Sequence, residues 1–431
     1  MTAGKTFLER YGEAVRDDPL RALAMVQGWM RTDWRAFFAE LRTERPIFAT
    51  PAFTVVTRYA DVAEVLSLER VFSVRAFAPR LDAALGGAFM LARDATPMNW
   101  REKGLMRALL VPEDATAVRE LAGRLAEEAL DAAEARSGAE PRVRVEAVQE
   151  VFRHVALRIC ADYFGLPGPT PETLGGWTRA IILDGFANYH GDPAVRAASE
   201  RAGAELMAYL AGLLAERRNA LADGERDILS RLLRTSLPAE LGLDEQRLMI
   251  NMAGLPLGWV ESGPGAMAEA LEQLFEHPEA LAAAAEAAGE PERFDPYVWE
   301  ALRFSPFFKL LPRLCERDHL LAAGTSRETV IKAGTFVLAA PASAMFDAHA
   351  VPDPEEFRLD RPEHLRLFFG LGHHSCLGVH PAGAVICEVV RRMVLRPGLS
   401  RLPAPEGDVV RVGAVFPDRF TLTYDRQEAR R

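Results

Sequence analysis

Apolar residues recur at helical spacing along most of the chain, and this pattern predicts a mainly helical protein. Long amphipathic stretches cover residues 115–135, 145–164 and 194–218. The second stretch stops at a Gly-Leu-Pro-Gly-Pro run, which is a strong helix terminator. We expect the first two stretches to form scaffold helices, and the third to belong to a hairpin of two helices.

β-rich runs are short and predict a small β-region. Residues 47–50 and 53–57 flank Pro51 and predict a hairpin between a helix over 29–42 and a helix over 59–67. Further short strands are expected within residues 320–340 and 403–424. Residues 70–97 show no clear period and are expected to be long loops.

A mostly apolar helix is predicted over residues 248–277, although several glycines and two prolines interrupt it. A proline donates no backbone hydrogen bond, so Pro264 should free the carbonyl of Val260 and Pro256 that of Met252. Two interpretations stay open: a kinked helix with a functional reason, or a helix that ends and restarts.

Composition narrows the classes of protein. The chain has 431 residues, about half of them hydrophobic, and its net charge of −10 argues against a nucleic-acid-binding protein. Four cysteines lack paired spacing, which favours a reducing compartment over disulfides or a zinc site. Without a signal-peptide pattern or a long apolar run, we expect a soluble, cytoplasmic protein with no membrane anchor.

The clearest candidate for chemistry is the glycine-rich stretch over residues 369–378, which holds the lone Cys376. Glycines let the backbone approach a planar ligand closely, and a cysteine there can present its sulfur to a metal. A buried, inert cysteine in a turn is the alternative for an isolated Cys-Leu-Gly.

The full run Phe-Gly-x-Gly-x-His-x-Cys-Leu-Gly resembles the haem-binding loop of the cytochrome P450 family at every fixed position. The resemblance implies haem b, with the Cys376 thiolate as the proximal iron ligand. It also implies that Phe369 shields the sulfur and that His374 binds a haem propionate. Gly370 and Gly378 would let the loop approach the haem.

The resemblance extends to the interrupted helix. Relatives carry an acid–alcohol pair for proton delivery, with the alcohol about fifteen residues before a terminal His-Pro. Counting back from His277 selects Ser262, preceded by Glu261, with Gly258 on the same helix face bordering the haem. Trp259 replaces a usual glycine; it either turns into the core or narrows the pocket.

Basic residues and one acid complete the resemblance. Arg313 matches a propionate-binding arginine, and Glu300 with Arg303 matches a buried pair joined by Arg361. In the helix over residues 100–110, the family places a further propionate partner. Arg101, Lys103 and Arg107 all qualify, and Arg107 is our candidate.

The resemblance implies a mainly α protein with a small β-region, folded as a single domain over residues 1–431. The haem would lie between the long distal helix and the helix after the cysteine loop. Residues 1–18 and 425–431 are expected to be flexible.

The implied activity is a haem-thiolate monooxygenase that uses O₂ to oxidise a small apolar substrate, in secondary metabolism, with electrons from a ferredoxin- or flavodoxin-type donor. One alternative, motivated by Trp259, is a peroxide- or hydroperoxide-using peroxygenase or isomerase that needs no redox partner. Another is a non-catalytic haem sensor or carrier.

Overall fold

The computed structural model describes residues 5–188, 191–220, 224–413 and 415–426. Helices dominate these ranges, and the strands are short. Within the described ranges, no helix is long and apolar enough to cross a membrane.

The helices are α1 Phe7–Asp17, α2 Pro19–Thr32, α3 Trp34–Glu44, α4 Tyr59–Ser67, α5 Ala78–Leu85, α6 Pro97–Leu109, α7 Ala115–Arg136, α8 Arg153–Asp162, α9 Pro171–Phe186, α10 Pro193–Asn219, α11 Ile228–Arg234, α12 Glu245–Trp259, α13 Ser262–Glu276, α14 Pro278–Ala287, α15 Pro291–Phe304, α16 Pro341–Ala344 and α17 Val379–Val394.

The strands are β1 Ile47–Ala49, β2 Thr54–Val56, β3 Phe72–Ser73, β4 Arg142–Glu146, β5 Leu311–Cys315, β6 His319–Leu321, β7 Thr329–Ile331, β8 Phe336–Ala339, β9 Ser400–Arg401, β10 Val410–Val412, β11 Phe416–Arg419 and β12 Thr421–Asp425.

One compact unit contains the described residues up to Ala76 together with Arg303–Ser375. Its five-stranded sheet has the order β1-β2-β8-β5-β3, in which only the β2–β8 pair is parallel. Two apolar clusters form the core of this unit, one of them rich in aromatic residues from α2 and α3. The unit therefore carries most of the predicted β-region.

The second compact unit contains Phe77–Leu302 and the described residues from Cys376 onward. Here α17 packs against α7 and α13, and α9 packs against α10. The antiparallel sheet β4-β12-β9 and the hairpin β10-β11 close the chain. The largely apolar buried face of α17 shows why this helix is central: twelve of its sixteen residues are buried.

Most of the predicted elements are present. The hairpin of β1 and β2, the helix α4 over residues 59–67, the helix α7 and the helical hairpin of α9 and α10 were all expected. The mainly helical fold class with a small β-region is confirmed. A single domain over the whole chain stays a prediction.

Two sequence-based expectations were wrong. Residues 145–164 do not form one helix, because residues 142–146 pair with β12 as β4 and residues 147–152 are π-helical before α8 begins. Residues 70–97 include α5 as well as loops. The N-terminal stretch contains α1, for which Thr6 and Glu9 form a capping box, and its flexibility stays a prediction; residues 1–4 and 427–431 lie outside the described ranges.

Candidate functional site

Cys376 differs from the other cysteines in its exposure. Cys160, Cys315 and Cys387 are buried free thiols, whereas the side chain of Cys376 is exposed. It lies three residues before α17, where the positive end of the helix dipole favours an anionic sulfur. Cys376 is thus the cysteine that can offer its sulfur to a ligand.

Groups around Cys376 have opposing effects on the pKa of its thiol. Desolvation by surrounding atoms raises the pKa of this thiol above its usual value, although the side chain is solvent-accessible. The backbone N–H of Gly378 and the ammonium of Lys103 both oppose this and lower the pKa. These two positive partners suit a sulfur that becomes a thiolate, because each stabilises negative charge on the sulfur.

Of the three basic residues on α6 that could bind a haem propionate, one is buried. Lys103 is 1% exposed, and burial lowers its pKa to about 8, with Arg107 acting in the same direction and Cys376 opposing. Arg101 and Arg107 are exposed on the same helix. The side chain electrostatically coupled to the cysteine is therefore Lys103, and Arg107, our sequence-based candidate, faces solvent.

The glycine-rich loop before Cys376 relies on two left-handed glycines. Gly370 has φ 76° and Gly372 has φ 71°, and a Cβ added to Gly372 would lie 2.7 Å from the carbonyl oxygen of Leu66. Only glycine fits at position 372, because the left-handed backbone and the nearby Leu66 carbonyl both exclude a side chain.

The predicted contact residues of this loop lie at its ends. The ring of Phe369 packs against Phe368 with centroids 5.2 Å apart. His374 ends a short 3-10 turn and makes an edge contact with the His373 ring at 4.9 Å. In the same unit, Arg313 is buried in β5, and its Nη1 donates to the carbonyl of Pro312 at 2.9 Å.

The predicted distal helix is two helices. α12 ends at Trp259 and α13 begins at Ser262, so the interpretation in which a helix ends and restarts is confirmed. Pro264 explains the position of the break, because it has no N–H to donate to the carbonyl of Val260. Across the break, the Ser262 hydroxyl donates to the carbonyl of Gly258 at 2.5 Å, and Gly258 itself is exposed.

Trp259 is turned into the core. Its side chain is 6% exposed, and its indole Nε1 donates to the carbonyl of Ala156 in α8 at 3.1 Å. The indole also covers Gly263, where an added Cβ would lie 2.9 Å from the ring. Of the two interpretations left open by the sequence, the core position is therefore the one observed.

Glu261 is clamped by two arginines. Its side chain is 3% exposed, and Arg153 donates to its two oxygens at 2.9 and 3.2 Å. Arg179 donates to the same oxygens at 3.0 and 3.3 Å. Arg179 also binds Asp418 at 3.0 Å, on the more exposed side of the cluster. The buried carboxylate is thus fully paired and connected to the surface.

Sequence reasoning missed both clamp arginines. Arg153 and Arg179 lie 108 and 82 residues before Glu261, on α8 and α9. No local motif marks such a pairing, and only the requirement that a buried carboxylate have a cationic partner indicated that one must exist.

The predicted Glu300, Arg303 and Arg361 are all buried. Arg303 donates to the carbonyls of Met345 and Pro354, at 2.9 and 2.8 Å. Both arginines also reach the carbonyl of Glu356. Arg303 and Arg361 therefore belong to one buried hydrogen-bond network, and Glu300 lies three residues before Arg303 on α15.

Two neighbouring arginines on α17 form ion pairs within the second compact unit. Arg391 binds Glu388 through Nε and Nη2, at 2.9 and 2.6 Å. Arg392 binds Glu388 and Glu127 at 2.7 and 3.1 Å. These pairs neutralise the arginines, so they stabilise the packing of α17 with α7.

These residues fit a haem group. The only exposed cysteine precedes a helix N-terminus and is accompanied by an N–H donor and a cation. Coordination to a metal deprotonates a thiol outright, so the raised pKa does not oppose ligation. Exposed Gly258 and the Ser262 hydroxyl leave one face of the α12–α13 break accessible.

Comparisons with known proteins agree with this fit. The profile of the family "Cytochrome P450" matches residues 294–383. The chain is 28% identical over 261 residues to a C-19 steroid 1alpha-hydroxylase of Sorangium cellulosum, which is 60% of this chain and 61% of that protein. It is 26% identical over 410 residues to the mycinamicin IV hydroxylase/epoxidase of Micromonospora griseorubida, which is 94% of this chain and 91% of that protein.

Solved structures show the same fold. Cytochrome P450 CYP109Q5 from Chondromyces apiculatus superimposes with a TM-score of 0.76 at 24% identity, over 93% of this chain and 97% of that one. CalO2 superimposes with a TM-score of 0.78 at 21% identity, over 92% and 97%.

Proposed function

Because the chain belongs to the cytochrome P450 family, we propose that it is a haem-thiolate monooxygenase acting on a small apolar organic substrate. One atom of O₂ enters the substrate and the other leaves as water, with two electrons from a separate donor and two protons from the protein. The observation that carries this proposal is the exposed Cys376 before α17.

Haem b, when bound, supplies the oxygen-activating chemistry. Cys376 would ligate its iron, with the Gly378 N–H and the helix dipole stabilising the thiolate. For the propionates we propose His374, Arg313 and, on α6, Arg107 or the inward-facing Lys103. Phe369 and Gly370 would border the sulfur and the haem plane.

Proton delivery is the proposed role of Ser262 and Glu261. The Ser262 hydroxyl lies at the helix break, where it can exchange its bond to the Gly258 carbonyl for one to a ligand. Glu261 is the neighbouring acid, and Arg179 connects it to Asp418 near the surface. A guanidinium stays protonated and relays no proton itself, so we propose that Arg179 holds Glu261 in place as the acid next to Ser262 in the chain.

The relatives support a monooxygenase over the peroxygenase alternative. Their names describe hydroxylases and an epoxidase, and the core position of Trp259 removes the observation that motivated the alternative. Since these relatives are named for a C-19 steroid and mycinamicin IV, we propose a substrate of comparable size, from secondary metabolism.

We also propose a ferredoxin- or flavodoxin-type electron donor and a cytoplasmic location. Among the described residues, no cluster of His, Cys, Asp and Glu is arranged to hold a further metal centre, which supports a separate protein as the source of the electrons. The free, unpaired cysteines are typical of a reducing compartment.

Turnover experiments test the proposal directly. Ligands that shift the haem spin state identify a substrate, and product formation is then measured with reductant, ferredoxin and O₂, or with peroxide alone. We expect product only from the first mixture; product from peroxide alone, at an equal or higher rate, contradicts a monooxygenase.

Ser262→Ala should divert electrons from product to hydrogen peroxide, because the variant lacks the hydroxyl that delivers protons. The ratio of product to reducing equivalents consumed measures this coupling, with exposed Ser236→Ala as the control variant. Unchanged coupling in Ser262→Ala would overturn the proton-delivery role.

A further inference from the structure

Asn251 is a buried carboxamide that makes no hydrogen bond within the described part of the chain. It lies in α12 and is 1% exposed, and both its Nδ2 and its Oδ1 are buried without a partner among the described residues. No other described side chain has two atoms in this condition. Buried amides are almost always hydrogen-bonded, so this exception requires an explanation.

The position of Asn251 relates it to the site. Gly258 follows seven residues later in the same helix, and seven residues make nearly two full turns, so both lie on one helix face. The rise along the axis is about 10 Å. The carbonyl of the exposed Gly258 accepts the hydroxyl of Ser262, so the carboxamide shares its helix face with the residue that binds the proposed catalytic alcohol.

A short segment covers this part of the face. Arg247 donates to the carbonyl of Ala88, and Gln246 donates to the carbonyl of Gly86 at 2.9 Å. A Cβ added to Gly254 would lie 2.8 Å from the ring of Phe89. Residues 86–89 therefore lie over the turns of α12 on either side of Asn251.

The covering segment is held by bonds to side chains and to the end of α5: the Phe89 N–H donates to the Asp82 carboxylate at 3.2 Å, and the Gly87 N–H donates to the Asp82 carbonyl at 3.1 Å. Residues 86–89 have no regular secondary structure, and Gly86, which follows α5, has a left-handed φ of 69°. The bonds to Arg247 and Gln246 come from long side chains, which can follow a moving segment.

We propose that Asn251 recognises a hydroxyl or amide group of the substrate, about two helical turns from the carbon that is oxidised. This inference rests on the proposed function. A hydroxyl or an amide can both accept from Nδ2 and donate to Oδ1, whereas a hydrocarbon can do neither. The substrate is then an apolar skeleton with one such polar group, and residues 86–89 move aside to admit it.

Iron-binding probes of defined length test this assignment. The holoenzyme is titrated with 1-(ω-hydroxyalkyl)imidazoles and with 1-alkylimidazoles of equal length, using chains of roughly six to ten carbons to span the helix rise. The Soret shift reports ligation and gives Kd. We expect the hydroxyl to tighten binding about 5- to 20-fold at one chain length, as one hydrogen-bonded group would.

Variants of Asn251 test whether this residue causes the preference for the hydroxyl probe. Asn251→Leu and Asn251→Ala should abolish the preference for the hydroxyl probe while still binding the alkyl probe. Thr178→Val is the matched control, because Thr178 is also buried on a helix of this unit but its hydroxyl already donates within α9. The control should keep the preference.

Three outcomes distinguish a failure of the proposed role of Asn251 from a failure of the proposed function. Equal affinity of the hydroxyl and alkyl probes for the wild type at every length overturns the role of Asn251, even if both variants fail to fold. A preference that survives in either Asn251 variant also overturns it. Absence of any Soret shift with either probe contradicts the proposed function itself, because no accessible haem iron would then be present.

Discussion

Trp259 shows what a single residue can and cannot reveal in sequence. It occupies a position where the family resemblance favours glycine, and the sequence left open whether its ring enters the pocket. The indole instead packs on Gly263 and donates to the Ala156 carbonyl. No local pattern specifies that choice, because it depends on a carbonyl about one hundred residues upstream.

Glu261 was predictable by spacing, but its clamp was not. Counting fifteen residues back from His277 selected the acid–alcohol register, and Ser262 is the first residue of α13, directly after the helix break. Arg153 and Arg179 reach Glu261 from other helices. A sequence can show that a buried acid needs partners, but tertiary packing chooses them.

Arg179→Met should weaken both stability and coupling. Removing one of the two charged donors should lower the free energy of unfolding by about 1.5–3 kcal/mol, as for hydrogen bonds to charged groups. It also removes one of the two arginines that hold the Glu261 carboxylate, so proton delivery should weaken and electrons should be lost to hydrogen peroxide. Denaturant titration and the ratio of product to reductant measure the two effects.

Arg158→Met provides the control for that variant. Arg158 is on α8 and pairs with Asp162 at the surface, so its removal should cost less than about 1 kcal/mol and leave coupling unchanged. Equal behaviour of the two variants would contradict a special role for the clamp.

At the scale of elements, segments with a regular hydrophobic pattern were predicted well. Segments whose secondary structure is set by contacts with distant parts of the chain were not. The helix over 59–67 was predicted at its observed bounds as α4, because its periodicity and flanking residues agree. Residues 142–146 carry an alternating exposed and buried pattern, but the following helical run concealed it. Pairing with β12, almost 280 residues later, makes this segment a strand.

Pro264→Ala tests whether the break between α12 and α13 is needed for catalysis. Alanine supplies the N–H that Pro264 lacks, so the Val260 carbonyl can be bonded and α12 and α13 can join. We expect stability to change by no more than about 1 kcal/mol, because proline is tolerated in a first helical turn. Product formed per electron should fall, since a continuous helix would move the Ser262 hydroxyl.

Coupling in Pro264→Ala is measured against Pro238→Ala, an exposed proline outside the helices. Wild-type coupling in Pro264→Ala would show that the break is not needed for catalysis.

At the scale of the whole molecule, buried arginines connect segments that are distant in the sequence. Arg303 is fully buried and reaches carbonyls more than forty residues away, and Arg361 shares one of them. The Glu-x-x-Arg spacing selected Glu300 and Arg303, and the resemblance selected Arg361; the ion pair of Glu300 stays a prediction. The carbonyls that Arg303 and Arg361 bind could not be predicted, because every residue has a backbone carbonyl and only the tertiary fold selects among them.

Glu300→Ala should destabilise the protein and reduce haem retention. Glu300 is 1% exposed, and if it forms the predicted ion pair with Arg303, removing this buried carboxylate should cost about 3–5 kcal/mol. Haem content per protein and the unfolding midpoint measure the effect. Glu290→Ala is the control, because its pair with Arg293 is exposed. A soluble Glu300→Ala variant with full haem content would refute the structural role.

The central claim is that the Cys376 thiolate ligates haem iron, and the spectrum of the reduced carbon monoxide complex tests it most directly. The wild type should show the far-red-shifted Soret band that a thiolate ligand produces, and Cys160→Ala should keep it, because Cys160 is buried. Cys376→Ser should bind haem without that band. An unchanged band in Cys376→Ser would contradict the account.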